Sequence, residues 1–339
     1  MTAIVNSPDR GDRLCDLDFT DIYMSEAGEV YMRGMTDVSE PLYMVPKNAV
    51  ADLDDVHRRV CAMGQRENEF VLDHDNVRYR ITKIQIEHGA SYHIRRSMFP
   101  IPRLRPLGLP VEVVRALAPI GNPGLGGRPR GFGLILIAGT TGQGKTTTAS
   151  SLLQEYLINY GEIAITIEDP PELMLEGKHG QFGVCYQVKV KDGDFAPLVR
   201  QALRQQPRYI MLGEVRDPSS AQEVLNAALS GHVVLATIHG GSIEEALLRM
   251  INYVASRVDL NMARDMLADG IAAVLHQEMR KIRASDGRVQ RRLLVQSLFF
   301  GKERGLRQKV RTGDIGMLGT DIEAQRNRMA KREMPIDRL

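Results

Sequence analysis

The sequence lacks several features that would place it among membrane, disulfide-stapled or nucleic-acid-binding proteins. It has no tryptophan, which says nothing about function, and three cysteines that are far apart and without a CxxC pair. They fit reduced thiols of a cytosolic protein, and neither a zinc site nor a disulfide framework. No apolar run approaches the roughly 18 residues of a membrane span, and the N-terminus lacks the apolar core of a signal peptide. The net charge of +2 gives no reason to expect binding to nucleic acid or to an acidic membrane surface.

One glycine-rich stretch carries the strongest chemical signal. Apolar residues 135–138 run into the pattern G-x-x-x-x-G-K-[ST], and a helical pattern begins at Thr148. Strand, glycine loop and helix are the context of a phosphate-binding P-loop, and a chance match is the alternative. In such a loop Lys145 can reach the β- and γ-phosphates of ATP, and the Thr146 hydroxyl can hold Mg²⁺. The predicted nucleotide-binding residues are Gly139, Thr140, Thr141, Gly142, Gln143, Gly144, Lys145, Thr146 and Thr147.

Two further predicted strands end in acidic residues. One ends at Glu168, before two prolines that stop the strand, and the other ends at Glu214, after four apolar residues and a glycine. Ligands of parallel α/β sheets bind at the carboxyl ends of the strands, so these two residues are candidates for the catalytic and Mg²⁺-binding carboxylates. For Asp169 and Asp217 the alternative is that each caps the turn or helix that follows, and the proline after Asp217 favours capping.

A third predicted strand ends in Thr237 and His239, which alternate and so could emerge at the same edge of the sheet. This position favours a functional role for His239. His232 would lie at the other end of the strand, and its role is left open. The remaining histidines considered form no spacing typical of a metal site, and residues 73–75 favour a polar turn. They are His57, His74, His88 and His93.

The first part of the chain predicts a mixed α and β unit. The predicted elements are strands at 29–33 and 42–45, a helix at 48–64, and hairpin strands at 76–86 and 92–96. In the first hairpin strand Val77, Tyr79 and Ile81 alternate with Arg78 and Arg80, which indicates a half-buried strand with arginines on one face. A solvated face is the alternative interpretation of this row.

The rest of the chain alternates strand and helix, which predicts a parallel sheet with helices on both faces. The predicted elements are helices at about 111–118, 195–205, 218–230, 243–255 and 261–281, strands at 162–167, 209–213 and 232–237, and a hairpin with Asp286-Gly287 as its turn. The predicted organisation is a loose terminus (1–13), an α+β domain (14–99), a linker (100–110), an α/β domain (111–300) and a helical tail (301–339).

In this order the motifs resemble those of the secretion ATPases that power type II and type IV secretion, type IV pilus extension and retraction, and conjugation. The resemblance covers roughly residues 14–280. The matching motifs are Gly139-Thr-Thr-Gly-Gln-Gly-Lys-Thr-Thr147 (Walker A), Ile165-Thr-Ile-Glu-Asp-Pro-Pro-Glu172 (Asp box), Leu203-Arg-Gln-Gln-Pro-Arg-Tyr-Ile-Met-Leu-Gly-Glu-Val-Arg-Asp217 (Walker B) and Ser230-Gly-His-Val-Val-Leu-Ala-Thr-Ile-His239 (His box).

The resemblance implies a PAS-like N-terminal domain, a RecA-like P-loop domain and a ring of six chains. It implies that ATP lies mainly on one RecA-like domain while arginines of N-terminal domains close over the phosphates. Arg95 and Arg80 match such arginines, and Arg96 is left open. The resemblance further implies that Glu168 positions or activates the attacking water, and that Glu214 acts on Mg²⁺ and water. His239 would sense the γ-phosphate.

The sequence departs from the family pattern at three points. Gly240-Gly241 replaces the usual Thr-Asn after the His-box histidine, and Gln205-Gln206 precedes the proline where Gln-Asp is common. The four-cysteine zinc insert of many assembly-type members is missing. A compact chain without that insert, and without a recognisable retraction signature near its C-terminus, favours secretion or conjugation.

The leading hypothesis is therefore a hexameric motor ATPase that powers protein or DNA–protein export. It would lie at the cytoplasmic face of the inner membrane, held there by secretion or pilus platform proteins, with no direct contact to nucleic acid. A type IV pilus motor is the first alternative. A regulatory or structural ring that binds ATP with negligible turnover is the second, and the presence of Lys145, Thr146, Glu168 and Glu214 together argues against it. A DNA-acting motor lacks support from the charge pattern.

Overall fold

The computed structural model describes residues 13–17, 19–34, 42–45, 50–97, 100–124, 130–191, 193–283 and 289–336, without the side chains of 281–283 and 289–291. The chain divides into two compact units. Unit 1 comprises Met1–Pro100 and Pro170–Met174, and unit 2 comprises Ile101–Asp169 and Leu175–Leu339. The sequence did not predict that a short segment from the middle of the chain belongs to unit 1. None of the helices in the described ranges has the length and apolar character to cross a membrane.

Unit 1 is an antiparallel sheet in the order β3-β2-β1-β6-β5-β4, with one helix, α1 (Leu53–Gly64), packed against it. Buried side chains of α1 recur every three or four residues and join the buried faces of the strands in one core. A Cβ on Gly64 would lie 2.5 Å from the ring of Tyr92, so this close approach requires glycine. The strands are β1 (Asp21–Ser25), β2 (Val30–Arg33), β3 (Tyr43–Met44), β4 (Glu69–His74), β5 (Val77–Ile86) and β6 (Gly89–Arg96).

Unit 1 corrects two predictions from the sequence. The helix begins at Leu53 and not at residue 48, since Val50 to Asp52 precede it as a bend and turn; residues 46–49 lie outside the described residues. Strand β4 was not predicted, although its buried residues alternate with more exposed ones. The polar turn expected at 73–75 is in fact at 75–76, where both residues have positive φ. The α+β character of this unit is confirmed.

Unit 2 contains an eight-stranded sheet in the order β14-β13-β7-β12-β11-β8-β10-β9. The pairs from β13 to β10 are parallel, and only the edge strands β14 and β9 run antiparallel to their neighbours. The strands are β7 (Gly133–Gly139), β8 (Glu162–Glu168), β9 (Gly177–His179), β10 (Gly183–Lys189), β11 (Tyr209–Leu212), β12 (Val233–His239), β13 (Ile271–Arg283) and β14 (Val289–Phe299).

Helices cover both faces of this sheet, as predicted. On β7, Leu134, Leu136 and Ala138 join a core with buried residues of α4 to α8. Ile135 and Ile137 are equally buried but point to the other face, where α3 packs against β7. The helices are α2 (Val111–Gly121), α3 (Lys145–Tyr160), α4 (Ala196–Leu203), α5 (Pro218–Leu229), α6 (Ile243–Ala255), α7 (Leu260–Gly270), α8 (Arg304–Thr312) and α9 (Gly319–Ala330).

The prediction of one helix over 261–281 is wrong. Helix α7 ends at Gly270, and Ile271 begins β13, which pairs with β7 on one side and β14 on the other. The predicted hairpin is the β13–β14 pair, and its Asp286-Gly287 turn lies outside the described residues. Strands β9 and β10 were also not predicted. After β14 the chain forms α8, a 3₁₀ helix (Ile315–Leu318) and α9.

Candidate nucleotide-binding site

The register of the parallel strands brings the four sequence motifs to one edge of the unit 2 sheet. Strands β7, β12, β11 and β8 are neighbours, and Gly139 at the end of β7 lies opposite His239 at the end of β12. Leu212 of β11 lies opposite Ile167 of β8, so Glu214 follows β11 beside the end of β8, where Glu168 lies. The carboxyl ends of these strands therefore form one site.

The P-loop (residues 139–147) adopts a conformation that requires its glycines. Gly142 and Gly144 both have φ of 77°, in the left-handed region. Gly144 precedes the first residue of α3, and nothing lies within 4 Å of a Cβ built on Gly142. The first backbone N–H groups of α3 have no partner within the helix, and such groups at a helix N-terminus are the ones that bind phosphate.

Lys145 begins α3 and is half-buried. Its Nζ donates a hydrogen bond to the carbonyl oxygen of Thr140 at 3.0 Å, across the loop. Burial lowers the pKa of Lys145, and the carboxylate of Glu214 opposes that shift. The ammonium group of Lys145 and the carboxylate of Glu214 therefore interact electrostatically.

The Glu168 carboxylate is buried, with 2% of the residue exposed. Its Oε1 accepts hydrogen bonds from Thr166 Oγ1 at 2.7 Å and from Gln187 Nε2 at 3.1 Å. Gln187 lies on β10, opposite Thr166 in the parallel register. Its Oε1 in turn accepts the backbone N–H groups of Leu175 and Glu176, both at 2.8 Å. Gln187 thus joins the Glu168 carboxylate to the chain that leads into β9, and sequence analysis missed this residue.

The two acidic residues after β11 differ in their partners. Glu214 is partly exposed and forms an ion pair with Arg216 at 2.7 Å. Asp217 is the N-cap of α5, and its Oδ1 accepts the N–H groups of Ser219 at 2.8 Å and Ser220 at 2.9 Å. The capping interpretation of Asp217 is therefore confirmed, and Glu214 is the acid that faces the P-loop lysine.

Strand β12 carries two residues of interest at its end. Thr237 is buried, and its hydroxyl donates to the carbonyl oxygen of Gly213 at 2.5 Å, which ties β12 to the segment that carries Glu214. His239 is exposed at the sheet edge, beside the P-loop strand. His232 lies at the other end, where its Nδ1 is 2.7 Å from the carbonyl oxygen of Pro207.

Strand β13 contacts the P-loop from the side. The sequence did not predict this contact, because residues 271–281 were assigned to a helix. Gln277 is 1% exposed, and its Nε2 donates to the carbonyl oxygen of Gln143. The side-chain oxygen of Gln143 accepts the backbone N–H of Met279. A Cβ on Gly139 would lie 2.7 Å from the carbonyl oxygen of Gln277, so the loop and β13 are in close contact. The apolar run 271–275 resembles the run before the P-loop, and Gly270 before it was a signal for the end of the helix.

The predicted arginines belong to unit 1, whereas the P-loop belongs to unit 2. Arg80 forms ion pairs with Glu172 at 2.5 Å and Glu69 at 3.5 Å. Arg95 Nε donates to Asp21 Oδ1 at 2.9 Å. Burial would raise the pKa of Asp21, but hydrogen bonds from Arg95, Thr20 and His93 hold it below its ordinary value. Both arginines therefore have carboxylate partners within unit 1.

Arg78 and Arg96 have structural contacts. Arg78 donates twice to Asp73, at 2.8 and 2.9 Å, across the β4–β5 pair. Arg96 donates to the carbonyl oxygens of Leu17 and Cys15 and lies over the ring of Phe19. A structural role therefore accounts for each of them.

Among the described residues, one cluster outside the sheet edge has metal-ligand chemistry: Asp52, His74 and Asp75. Arg59 Nη1 lies 3.1 Å from His74 Nδ1, and a guanidinium can only donate. Nδ1 therefore accepts, so Nε2 carries the proton and donates to Asp52 at 2.6 Å. A cation at Nε2 would have to displace that proton, so the contacts favour a hydrogen-bonded pair.

The residues at the sheet edge fit ATP and Mg²⁺. The left-handed glycines, the free N–H groups that open α3 and the partly buried Lys145 suit phosphates. The hydroxyl of Thr146 and the carboxylate of Glu214 are oxygen donors of the kind that Mg²⁺ prefers. The site therefore has groups suited to the phosphates and to the metal ion of a metal-bound nucleotide.

Comparison with known proteins places this site in a family. The family model described as "Type II/IV secretion system protein" matches residues 127–319. The protein YggR of Escherichia coli, described as uncharacterized, is 31% identical over 242 residues, which are 70% of this chain and 68% of YggR. A twitching motility protein of Neisseria gonorrhoeae is 28% identical over 243 residues, 71% of this chain and 62% of that protein.

A solved structure shows the same fold. The crystal structure of the pilus retraction motor PilT with bound ADP matches 90% of this chain and 86% of PilT, with a TM-score of 0.73 and 23% identity. The predicted fold class is confirmed, and the prediction of a P-loop ATPase is confirmed at the level of the family. The chain belongs to the type II/IV secretion system protein family, as its four motifs predicted.

Proposed function

We propose that this chain is a motor ATPase that hydrolyses Mg-ATP at the carboxyl edge of the unit 2 sheet to power secretion or conjugation. The observation that carries the proposal is the convergence of Walker A, Asp box, Walker B and His box on neighbouring strand ends. Phosphoryl transfer needs a held nucleotide, an oriented water and positive charge where negative charge develops. This edge offers residues for each of the three.

Each proposed role follows from a position in the site. The P-loop N–H groups and Lys145 bind the phosphates, and Thr146 with Glu214 would hold Mg²⁺, which supplies charge neutralisation when bound. Glu168, fixed by its two hydrogen-bond donors, orients the attacking water. His239, which is exposed and lies opposite Gly139 in the sheet, would contact the γ-phosphate.

The assembly remains part of the proposal. We infer a ring of six chains in which Arg95 and Arg80 act on nucleotide. Each chain would have an α+β domain (14–99), a linker (100–110), an α/β domain (111–300) and a helical tail (301–339). Both arginines are bound to carboxylates here, so a role on phosphate requires that each exchange a carboxylate for a phosphate oxygen. The ring would lie at the cytoplasmic face of the inner membrane, on platform proteins of the secretion system.

A type IV pilus motor is the second candidate. The twitching motility protein, similar over 71% of this chain, supports it. Deletion of the gene in its own host separates the two, with secreted protein, conjugal transfer and twitching scored in parallel. Loss of twitching alone would select the pilus motor.

The test of the enzyme is Mg-ATP turnover per chain as a function of protein concentration. Lys145→Ala and Glu214→Gln should abolish turnover, and Arg95→Ala should abolish it too if sites are completed between chains. Arg78→Ala is the matched control, because Arg78 lies on the same sheet and donates two hydrogen bonds to Asp73 across the β4–β5 pair.

Turnover per chain that rises with concentration and is lost in all three variants supports the ring motor. Wild-type protein that binds ATP but turns over no faster than Glu214→Gln, at every concentration, contradicts it. That result would favour a regulatory ring that binds nucleotide without hydrolysis.

A further inference from the structure

A second cavity lies in unit 2, at the opposite ends of the strands that carry the P-loop. Its volume is about 720 Å³, and its walls include Gly133, where β7 begins, and Ile271, where β13 begins. Strand β7 has seven residues, so at roughly 3.3 Å per residue the cavity lies about 20 Å from the P-loop. It is therefore distinct from the nucleotide site.

The cavity combines an apolar floor with cationic side chains. Ile120, Ile271 and Ala272 supply buried apolar surface. Phe132, also in its wall, is 54% exposed. An aromatic ring at the mouth of an apolar cavity provides a flat surface for stacking.

Three cations surround this floor without acidic partners. Arg130, Lys302 and Arg304 line the cavity, are exposed, and form no ion pair with any residue in the described ranges. The one carboxylate in the wall, Asp269, is engaged by Arg311. The cavity therefore presents an excess of positive charge around an apolar surface.

Beneath the wall, a buried arginine fixes its shape. Arg208 is 4% exposed and donates to the carbonyl oxygens of Asn122, at 3.0 Å, and Gly131, both of which line the cavity. Its Nε has no hydrogen-bond partner in the part of the chain that the structure describes. Burial lowers the pKa of Arg208, and the nearby charge of Arg130 lowers it further. The carboxylate of Glu162 opposes that shift, so Arg208 is a buried cation whose hydrogen bonds order this wall.

We propose that this cavity is a second ligand site, which takes a small organic anion with a flat apolar body. The anionic group would pair with Lys302, Arg304 and Arg130, and the apolar body would lie against the floor and Phe132. The volume is that of small-molecule sites, which are concave and largely preformed. The proposal does not depend on ATP hydrolysis. A ligand here would contact the first residues of β7 and β13. Strand β7 leads into the P-loop, and Gln277 of β13 donates a hydrogen bond to it.

The test uses two fluorescent dyes that have the same aromatic body and differ by one sulfonate group. The anionic dye 1-anilinonaphthalene-8-sulfonate matches the proposed ligand, and N-phenyl-1-naphthylamine has the same aromatic body without the sulfonate. Both are titrated into the full chain in the presence of Mg-ADP. We expect the combined Lys302→Gln and Arg304→Gln variant to weaken binding of the anionic dye at least about tenfold, the effect of losing one charge-assisted contact. Binding of the neutral dye should stay the same.

Two further variants make the result specific. Arg204→Gln combined with Lys331→Gln removes two exposed cations elsewhere and should leave both affinities unchanged. Phe132→Ala should weaken both dyes, and it tests the site even where the charge variant does not fold. Wild-type affinity for the anionic dye in the cavity variants would overturn the proposal, as would an equal loss in the control.

Discussion

Removing the amide of Gln187 should impair turnover without weakening ATP binding. Gln187 donates to Glu168 and accepts two backbone N–H groups. A hydrogen bond to a charged group contributes about 1.5–3 kcal/mol. Gln187→Leu removes that bond from a carboxylate that is 2% exposed. If Glu168 orients water, kcat should fall about 10- to 100-fold, since 1.36 kcal/mol corresponds to a factor of ten.

The assay is steady-state Mg-ATP hydrolysis, with kcat and KM determined separately. The variant Gln187→Glu adds a second test in the same assay. It keeps an acceptor for the two N–H groups but places a second carboxylate beside Glu168. Like charges favour protonation of one partner, so the acid limb of its pH–rate profile should move to higher pH than in the wild type. Gln201→Leu, an exposed glutamine on α4, is the matched control.

An effect on KM without an effect on kcat would refute the reasoning. If Gln187→Leu raised KM for ATP at unchanged kcat, Gln187 would support nucleotide binding and not the water-orienting carboxylate. If kcat and KM both stayed within about threefold of the wild type, a range below the effect of one charged hydrogen bond, Glu168 would not depend on this contact.

Three further predictions concern residues around the site and in unit 1. Asp217→Ala should lower the unfolding free energy by about 1 kcal/mol, the usual effect of a lost N-cap, with kcat unchanged; a large loss of kcat would contradict the capping role. Gln277→Leu should raise KM for ATP, because the Gln143 carbonyl loses its donor; an unchanged KM would show that β13 does not hold the loop. Burial would raise the pKa of Asp52, but hydrogen bonds from His74 and from backbone amides hold that pKa below its ordinary value. A carboxyl group with a lowered pKa stabilises the folded state above its unfolded pKa. Asp52→Asn should therefore be less stable than the wild type near pH 7 in urea unfolding, and the difference should vanish as the pH falls below that lowered pKa.

The sequence predicted the parts of the site that depend on local pattern. An apolar strand, a glycine loop and a helix are contiguous, so the P-loop needed no tertiary information. Glu168 and Glu214 were predicted to meet because strands of a parallel α/β sheet present their carboxyl ends at one edge. The register of β8 and β11 confirms that these ends are neighbours.

Contacts between residues far apart in the chain were not predictable. Asp21 and Arg95 are separated by 74 residues, and only the pairing of β1 with β6 brings them together. Gln187 lies on a strand of mixed polarity, in which exposed and buried residues do not alternate cleanly. Strand β10 is next to last in the sheet, so it is less buried than the central strands. It therefore lacks the continuous apolar run that is typical of central strands.

The error at residues 261–281 shows how an apolar run can conceal a site residue. Short apolar runs do not distinguish a buried strand from a buried helix, so 271–275 was read as a continuation of α7. Gly270, the last residue of α7, was the available signal for a helix end. Once 271–283 is a strand beside β7, the side chain of Gln277 and the backbone N–H of Met279 reach the P-loop. The P-loop is thus held by α3 at one end and by β13 at its side, so its geometry depends on a strand that follows it by more than a hundred residues.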